Sequence, residues 1–532
     1  MSQKADLILE NGKILTMEES YPLVESLAIE GSQIIWVGKR GACPLKGSQT
    51  KIIDLKGATV LPGFIESHAH LVPLGLTKTT YLDLSGLKAK SEILQEVKKQ
   101  VDLSPIGTWI IGFGWDEDLW TGKNLPTARD LDAVAPSHPV FLRRIDSHSV
   151  WVNSYVLTKA QIDKDTPDPT GGKIHRTKEG SPTGILVDKA VMNIYSLMPQ
   201  PSIAETVNHT HIALEECLKN GITMVHNAAT TKVEMDAFKK LSQTHLLPIK
   251  IYAMAVVPAD EGHAYLKKGP EIVSPHLETR CLKFFMDGAL GSRGAALFEP
   301  YADDPTNEGL LLWEEKELLP LLQKAKSQGL QVAFHAIGDR AVHLVLNAYE
   351  KIGVKNLRWR IEHCQLIAPS DVPRFEKLGV IAAVQPLHMA KDLPWLLQRL
   401  GKKRAEERAF IWNSLKRSGA QITGGSDAPV VEINPLWGLY TAITGKNPKN
   451  PKAPAWHTEE CLTREETLKI YTVNGAFASF KESSLGSIKV GKIADLTVLP
   501  LSPLTCPPEA LIDMEVLYTI VNGKILYQSP SL

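Results

Sequence analysis

The first thing this sequence lacks is a charge imbalance: 59 Lys+Arg against 59 Asp+Glu leave 532 residues with a formal net charge of zero. Without a basic excess there is no electrostatic footprint for nucleic acid or for an anionic membrane. Paired cysteines are missing as well. Cys43, Cys217, Cys281, Cys364, Cys461 and Cys506 lie far apart with no CxxC. That spacing argues against a disulfide framework or a thiolate zinc site and suits a reducing compartment. Any metal must therefore be held by histidine and carboxylate. The N-terminal MSQKADLILENGKILTM has no apolar leader core, and no run of about 18 apolar residues occurs anywhere. A soluble, cytoplasmic protein without a membrane partner is the expectation.

What is present is alternation. Residues 1–59 read as short strands and turns, with Asn11-Gly12 breaking two apolar runs as a hairpin signal. The C-terminal stretch 481–532 has the same character, and NGKIL occurs in both, at Asn11–Leu15 and Asn522–Leu526. The two ends are expected to pair into one composite β-sandwich domain. Between them, residues 60–480 alternate strand-like and helix-like runs. After VLPGFIESHAH come GITMVHNA, PIKIYAMAV, TRCLKFFMDG, GLQVAFHA, LRWRIEHCQ, GVIAAVQP and AQITGGSDAP. Strands alternating with helices imply a parallel sheet, and eight such units imply an α/β fold of the (β/α)8 barrel type. In that fold the chemistry sits at the C-terminal strand ends. One connection is abnormally long: residues 73–202 form an insertion after the first barrel strand, read as a lid or substrate subdomain, a decorative subdomain or oligomer contact being the other reading.

The strand ends carry the chemistry-bearing residues. His68 and His70 stand at i and i+2, which places both imidazoles on one face of a strand. Lys283 lies inside apolar LKFF, His335 and His363 end the fifth and sixth strands, and Asp427 ends the eighth. Four imidazoles, one lysine and one carboxylate converge on one rim if the barrel forms.

Taken together, LPGFIES-HAH, LKFFMDGALGSRGAAL, FHAIGDRAV, RIEHCQ and GGSDAPV resemble the amidohydrolase superfamily. More narrowly they are similar to its YtcJ-like branch, the amidohydrolase-3 group that includes N-substituted formamide deformylases. GFGWDEDLW, LPTARDLDAVAPSHPVFLRRIDSHSVWVNS and KIADLTVL extend the resemblance along nearly the whole chain. The resemblance implies a binuclear centre with two zinc or similar divalent ions. His68 and His70 would bind the more buried metal together with Asp427, and His335 and His363 the more exposed one. Lys283 would bridge them as a carbamate. Burial inside LKFF would lower the lysine's proton affinity and favour the neutral amine that carbamylation needs. A salt-bridged lysine in a one-metal site is the alternative. Asp427 would be the catalytic base and acid, taking a proton from water and returning it to the leaving amine.

Substrate contacts are expected from Arg293, beyond the fourth strand, and from Trp115 and His148 in the insertion. Each has a structural alternative: loop bonding for Arg293, packing of the insertion for the other two. His226 reads as a core residue, and Trp395 and Trp412 hint at an apolar pocket. The leading function is a metal-dependent hydrolase of a non-peptide C–N bond, an N-acyl or N-formyl amide of small size. A deaminase or cyclic-amide hydrolase on the same fold is the second reading, and a non-catalytic scaffold the third. A homodimer stays open.

Overall fold

The computed structural model describes residues 4–121 and 125–532. Its centre is a nine-stranded sheet in which eight strands run parallel and a ninth, Glu271–Ser274, pairs antiparallel off that path. In chain order the eight are β1 (Phe64–Ala69), β2 (Ile222–Thr230), β3 (Lys250–Val256), β4 (Leu277–Phe285), β5 (Gln331–Ala336), β6 (Arg360–His363), β7 (Ile381–Val384) and β8 (Gln421–Gly424). Each pairs in parallel with the next. Just beyond β8 the sheet closes on β1: the Asp427 amide donates to the His68 carbonyl (2.6 Å) and the His70 amide to the Ala428 carbonyl (2.8 Å). The chain is a (β/α)8 barrel, as the alternation implies.

The period of two sorts the barrel's side chains. On β4, Leu282 and Phe284 pack outward in the large helix-facing core, while Cys281 belongs to a small interior cluster with Met224, Tyr252 and Ala333. Lys283 follows Cys281 on the same face, as His335 follows Ala333. The helices are set by their own sequences. Ser202 and Glu205 form a capping box at the start of Ile203–Lys219, and Gly353 in the left-handed conformation ends Asp339–Ile352. Gly75 lets the helix Leu71–Thr79 approach Ile203–Lys219, since a Cβ there would stand 2.0 Å from the His209 carbonyl oxygen.

The chain ends meet in a second core. A four-stranded sheet is built from residues 7–54, and a six-stranded sheet combines Lys13–Leu15, Leu23–Val24 and Thr59–Pro62 with Leu496–Leu499, Tyr518–Val521 and Lys524–Gln528. Leu9, Leu27 and Ile29 of one sheet pack with Ile14, Val60, Leu496, Val498 and Ile520 of the other. Two details differ from the sequence reading. The run into the histidines is two strands, because Thr59–Pro62 pairs antiparallel with Leu496–Leu499 before the chain turns at Gly63 into β1. The two NGKIL copies also diverge. Asn522 and Gly523 have φ of 49° and 76° and close a hairpin, as a turn of that type requires. Around Asn11-Gly12 the chain instead crosses from one sheet to the other. Asn11 is left-handed at φ 61°, but Gly12 is not, and a Cβ on Gly12 would meet Leu55 at 2.4 Å. Tight packing, not a hairpin, keeps that glycine.

The insertion has a six-stranded sheet of its own, ordered Gly172–Arg176, Pro182–Asp188, Ser149–Val152, Val140–Arg144, Ile110–Trp115, Leu82–Asp83. Apolar residues cover both faces: Val140, Leu142 and Trp151 on one, Phe141, Val150 and Val152 on the other. No helix among the described residues is long and apolar enough to cross a membrane.

Candidate metal centre

The C-terminal rim of the barrel gathers the predicted side chains. The Asp427 Oδ1 lies 3.0 Å from His70 Nε2 and 3.4 Å from His68 Nε2, and Lys283 Nζ lies 3.4 Å from His68 Nε2. The His363 ring centroid is 4.9 Å from that of His68 and 4.5 Å from that of His335. His363 and Asp427 hold φ of 74° and 60°, a region costly for residues with a Cβ, and such conformations cluster at functional sites. Glycine at 425 lets the eighth strand end against the first. A Cβ there would meet Glu66 Oε1 at 2.5 Å and the His68 amide nitrogen at 2.7 Å.

Partners behind the ring nitrogens fix the tautomers. His68 Nδ1 donates to Glu362 Oε2 at 2.5 Å, and His363 Nδ1 donates to the Gln385 side-chain oxygen at 2.9 Å. Both Nε2 lone pairs are therefore free for the centre, the usual preparation of a ligating imidazole. Glu362 is held in turn by Arg360, whose guanidinium also reaches His226 Nδ1 (2.9 Å) and the Ser67 carbonyl (2.8 Å). His226 is thus a buried partner beneath the rim. His335 is placed differently, with Nε2 3.3 Å from the Gly288 carbonyl oxygen and 3.5 Å from Asp287.

Electrostatics suit a cation. Burial, with Lys283 behind it, pushes His68 well below its ordinary pKa; burial and neighbouring imidazoles do the same to His335 and His363. Neutral imidazoles keep their lone pairs. Burial brings Lys283 down to about 8, so a neutral amine is accessible near neutral pH. Burial alone would raise Asp427, but the His70 hydrogen bond and the imidazoles His68 and His70 hold it well below the carboxylate range. Among the described residues, ligand atoms of His68, His70 and Asp427 lie within 4.8 Å of one another, and so do those of His363, His388 and Asp427. Neutral imidazoles around an ionised carboxylate are a donor set that fits a late divalent ion.

A cavity opens above this rim, lined in part by His148, His335, His363, His388, Trp395 and Asp427. His148 comes from the insertion: its Nδ1 is 2.6 Å from Asp188 Oδ1 and its ring lies 4.8 Å from that of His335. Trp115 does not reach the cavity. It is fully buried in the insertion's core, against Trp120 and Trp151, with Nε1 donating to the Leu142 carbonyl. Arg293 also stays outside, since two of its nitrogens bond Asp303 at 3.1 and 2.8 Å. Sequence reading missed His388, which sits in the first turn of the helix Pro386–Leu400 just past β7. The histidine after Gln-Pro at a strand end was the available signal. Trp412, the other tryptophan noted, is buried in the helix-facing core.

A closed parallel barrel with this donor set at its rim defines a metal-dependent hydrolase. The chain belongs to the amidohydrolase family, whose model matches residues 51–527, and within it to the YtcJ-like branch. It is 36% identical over 529 residues to the putative amidohydrolase YtcJ of Bacillus subtilis (strain 168), covering 98% of this chain and 99% of that one. It is 27% identical over 551 residues to the N-substituted formamide deformylase of Arthrobacter pascens, covering 99% of each. The solved structure of an uncharacterized metal-dependent hydrolase from Pyrococcus horikoshii OT3 matches with a TM-score of 0.74 at 28% identity, covering 94% of this chain and 99% of that one.

Proposed function

We propose that this chain hydrolyses the C–N bond of a small N-acyl or N-formyl amide. His68, His70, His335, His363 and Asp427 would hold a pair of divalent ions, zinc being the best match to imidazole, with Lys283 bridging them as a carbamate. Such ions, when bound, polarise a carbonyl and make water a nucleophile at neutral pH.

The observation that carries the reading is Asp427: an ionised carboxylate at the cavity floor, within 3.0–3.6 Å of three imidazole Nε2 atoms. Kept unprotonated, it accepts a proton from the attacking water. As the tetrahedral centre collapses, the C–N bond breaks and the same proton passes to the departing nitrogen, giving an acid and an amine. The cavity lies under the insertion, and His148 brings that segment to the reaction centre. Arg293 bonds Asp303 and does not line this cavity, so no substrate contact is assigned to it.

The test is a panel of N-formyl and N-acyl amines incubated with metal-replete protein, with acid and amine both quantified. Equal amounts of acid and amine are expected. Release of ammonia from an amino-substituted heterocycle, with every amide untouched, would replace this reading by a deaminase.

A further inference from the structure

We propose that His388 is a catalytic residue that donates its Nε2–H to the carbonyl oxygen of the substrate. The inference rests on the hydrolase reading above, but its tautomer argument stands apart from it.

The argument starts behind the ring. Gln365 Nε2 lies 3.2 Å from Asp392 Oδ2 and 3.2 Å from His388 Nδ1. Burial raises Asp392 to about 7; above that pH it is a carboxylate whose oxygen accepts, so the Asp392 contact identifies this end of the Gln365 side chain as its NH2 group. An amide NH2 can only donate, so His388 Nδ1 must accept. The ring proton of neutral His388 is therefore on Nε2, the reverse of His68 and His363, whose Nδ1 atoms are the donors.

The backbone acceptor close to the ring, the Ser426 carbonyl, does not meet hydrogen-bond geometry with that proton. His388 Nε2 is buried and has no hydrogen-bond partner. Its nearest carboxylate oxygen, Asp427 Oδ2, is 3.6 Å away, beyond hydrogen-bond range. Buried N–H groups without acceptors are rare because their desolvation is uncompensated. This one lines the cavity beside the proposed proton acceptor, with its ring parallel to His363 at 5.8 Å and 10°. Rigid support at Nδ1 and a bare donor at Nε2 make a group that waits for an acceptor from outside.

The reaction supplies that acceptor. When water adds to the amide carbon, a C–O bond forms, the water's proton goes to Asp427, and the carbonyl π pair moves onto oxygen. Negative charge builds there, and a fixed N–H beside it is worth more in the transition state than in the ground state. When the C–N bond breaks, the pair returns to the carbonyl and Asp427 protonates the nitrogen. His388 keeps its proton throughout. A ligand role for His388 would instead need a lone pair at Nε2.

Three variants test this: His388→Ala, His388→Gln and Gln365→Glu. Removing one such donor lowers kcat by about 10²–10³-fold, so His388→Ala is expected to lose that much with KM and metal content unchanged. His388→Gln, which restores an N–H, should recover at least about tenfold of it. Gln365→Glu puts an acceptor behind Nδ1, flips the tautomer and should resemble His388→Ala. The second readout is the 15N spectrum of histidine-labelled protein, assigned by loss of the His388 signal in His388→Gln. It should show the Nε2–H form in the unsubstituted chain and Nδ1–H in Gln365→Glu. Full activity in His388→Ala, loss of metal from it, or an Nδ1–H tautomer in the unsubstituted protein would each overturn the proposal. If the unsubstituted chain cleaves no amide in the panel, the hydrolase reading fails, and the 15N spectrum alone still decides whether His388 presents an N–H.

Discussion

The barrel rim and the insertion above it both bury charge, and they treat it in opposite ways. In the insertion Arg144 is saturated: Nε bonds Glu117 (2.7 Å), one terminal nitrogen bonds Asp146 (3.0 Å), and the other bonds Asp116 (2.8 Å) and Asp118 (3.0 Å). Asp118 passes the network to Arg399 of the helix Pro386–Leu400, which also bonds Asp303 and the Gly291 carbonyl. Barrel and insertion are locked together by groups that have all their partners. At the rim the accounting is incomplete. His388 has a bare donor, the His68 and His363 rings lie 4.9 Å apart with no hydrogen bond between their Nε2 atoms, and an ionised Asp427 sits beside them. A satisfied buried network is architecture; an unsatisfied one is prepared for something that arrives.

Four substitutions sharpen that contrast. Asp427→Asn is isosteric and should leave bound metal in place while lowering kcat by about 10²–10⁴-fold, read by steady-state kinetics beside metal analysis; activity near that of the unsubstituted chain would remove Asp427 from the chemistry. Arg144→Met leaves Asp116, Glu117 and Asp146 without an arginine, Asp118 keeping Arg399, and should cost about 3–5 kcal/mol in a denaturant titration, the signature of an architectural network. A loss of activity with unchanged stability would mean that Arg144 belongs to the site instead. Gly425→Ala forces β8 away from the His68 backbone and should destabilise by about 1–3 kcal/mol, with weaker metal retention after dialysis.

The smallest effect concerns Glu66. Burial raises its carboxyl from 4.5 to about 8, although the amides of His68 and Ser426 both donate to Oε1. Between those two values the folded chain holds a proton that the unfolded chain has released, so this group's contribution to stability falls as pH rises through the window. Unfolding of metal-free protein at pH 7 and pH 8 should therefore show a loss of about 1 kcal/mol that Glu66→Gln lacks. Parallel pH dependence in the two proteins would show that Glu66 is ionised throughout.

What was legible in the sequence was what strand geometry and local spacing control. The eight barrel strands, and the site residues that end them, follow from alternation, because a residue's place on a strand settles which way it points. Arg360 and Glu362 could have been read the same way, as charges alternating with Trp359 and Ile361 on a buried strand. His388 escaped because it stands in a helix, where no strand rule applies. The Arg144 network escaped because three of its four partners come from a segment, residues 116–118, distant in the sequence, and Trp115 was placed at the cavity although its strand turns the ring into the insertion's core. NGKIL shows the limit most plainly: one pentapeptide makes a hairpin at Asn522 and a crossing between sheets at Asn11, with the surrounding packing deciding.

The central claim is that the rim holds divalent metal. Metal analysis of protein purified without chelator tests it most directly, with His68→Ala and Lys283→Met alongside. Two equivalents per chain are predicted for the unsubstituted protein, and fewer in both variants. A chain that binds no divalent ion under any loading condition, or variants that hold as much as the unsubstituted protein, would contradict it.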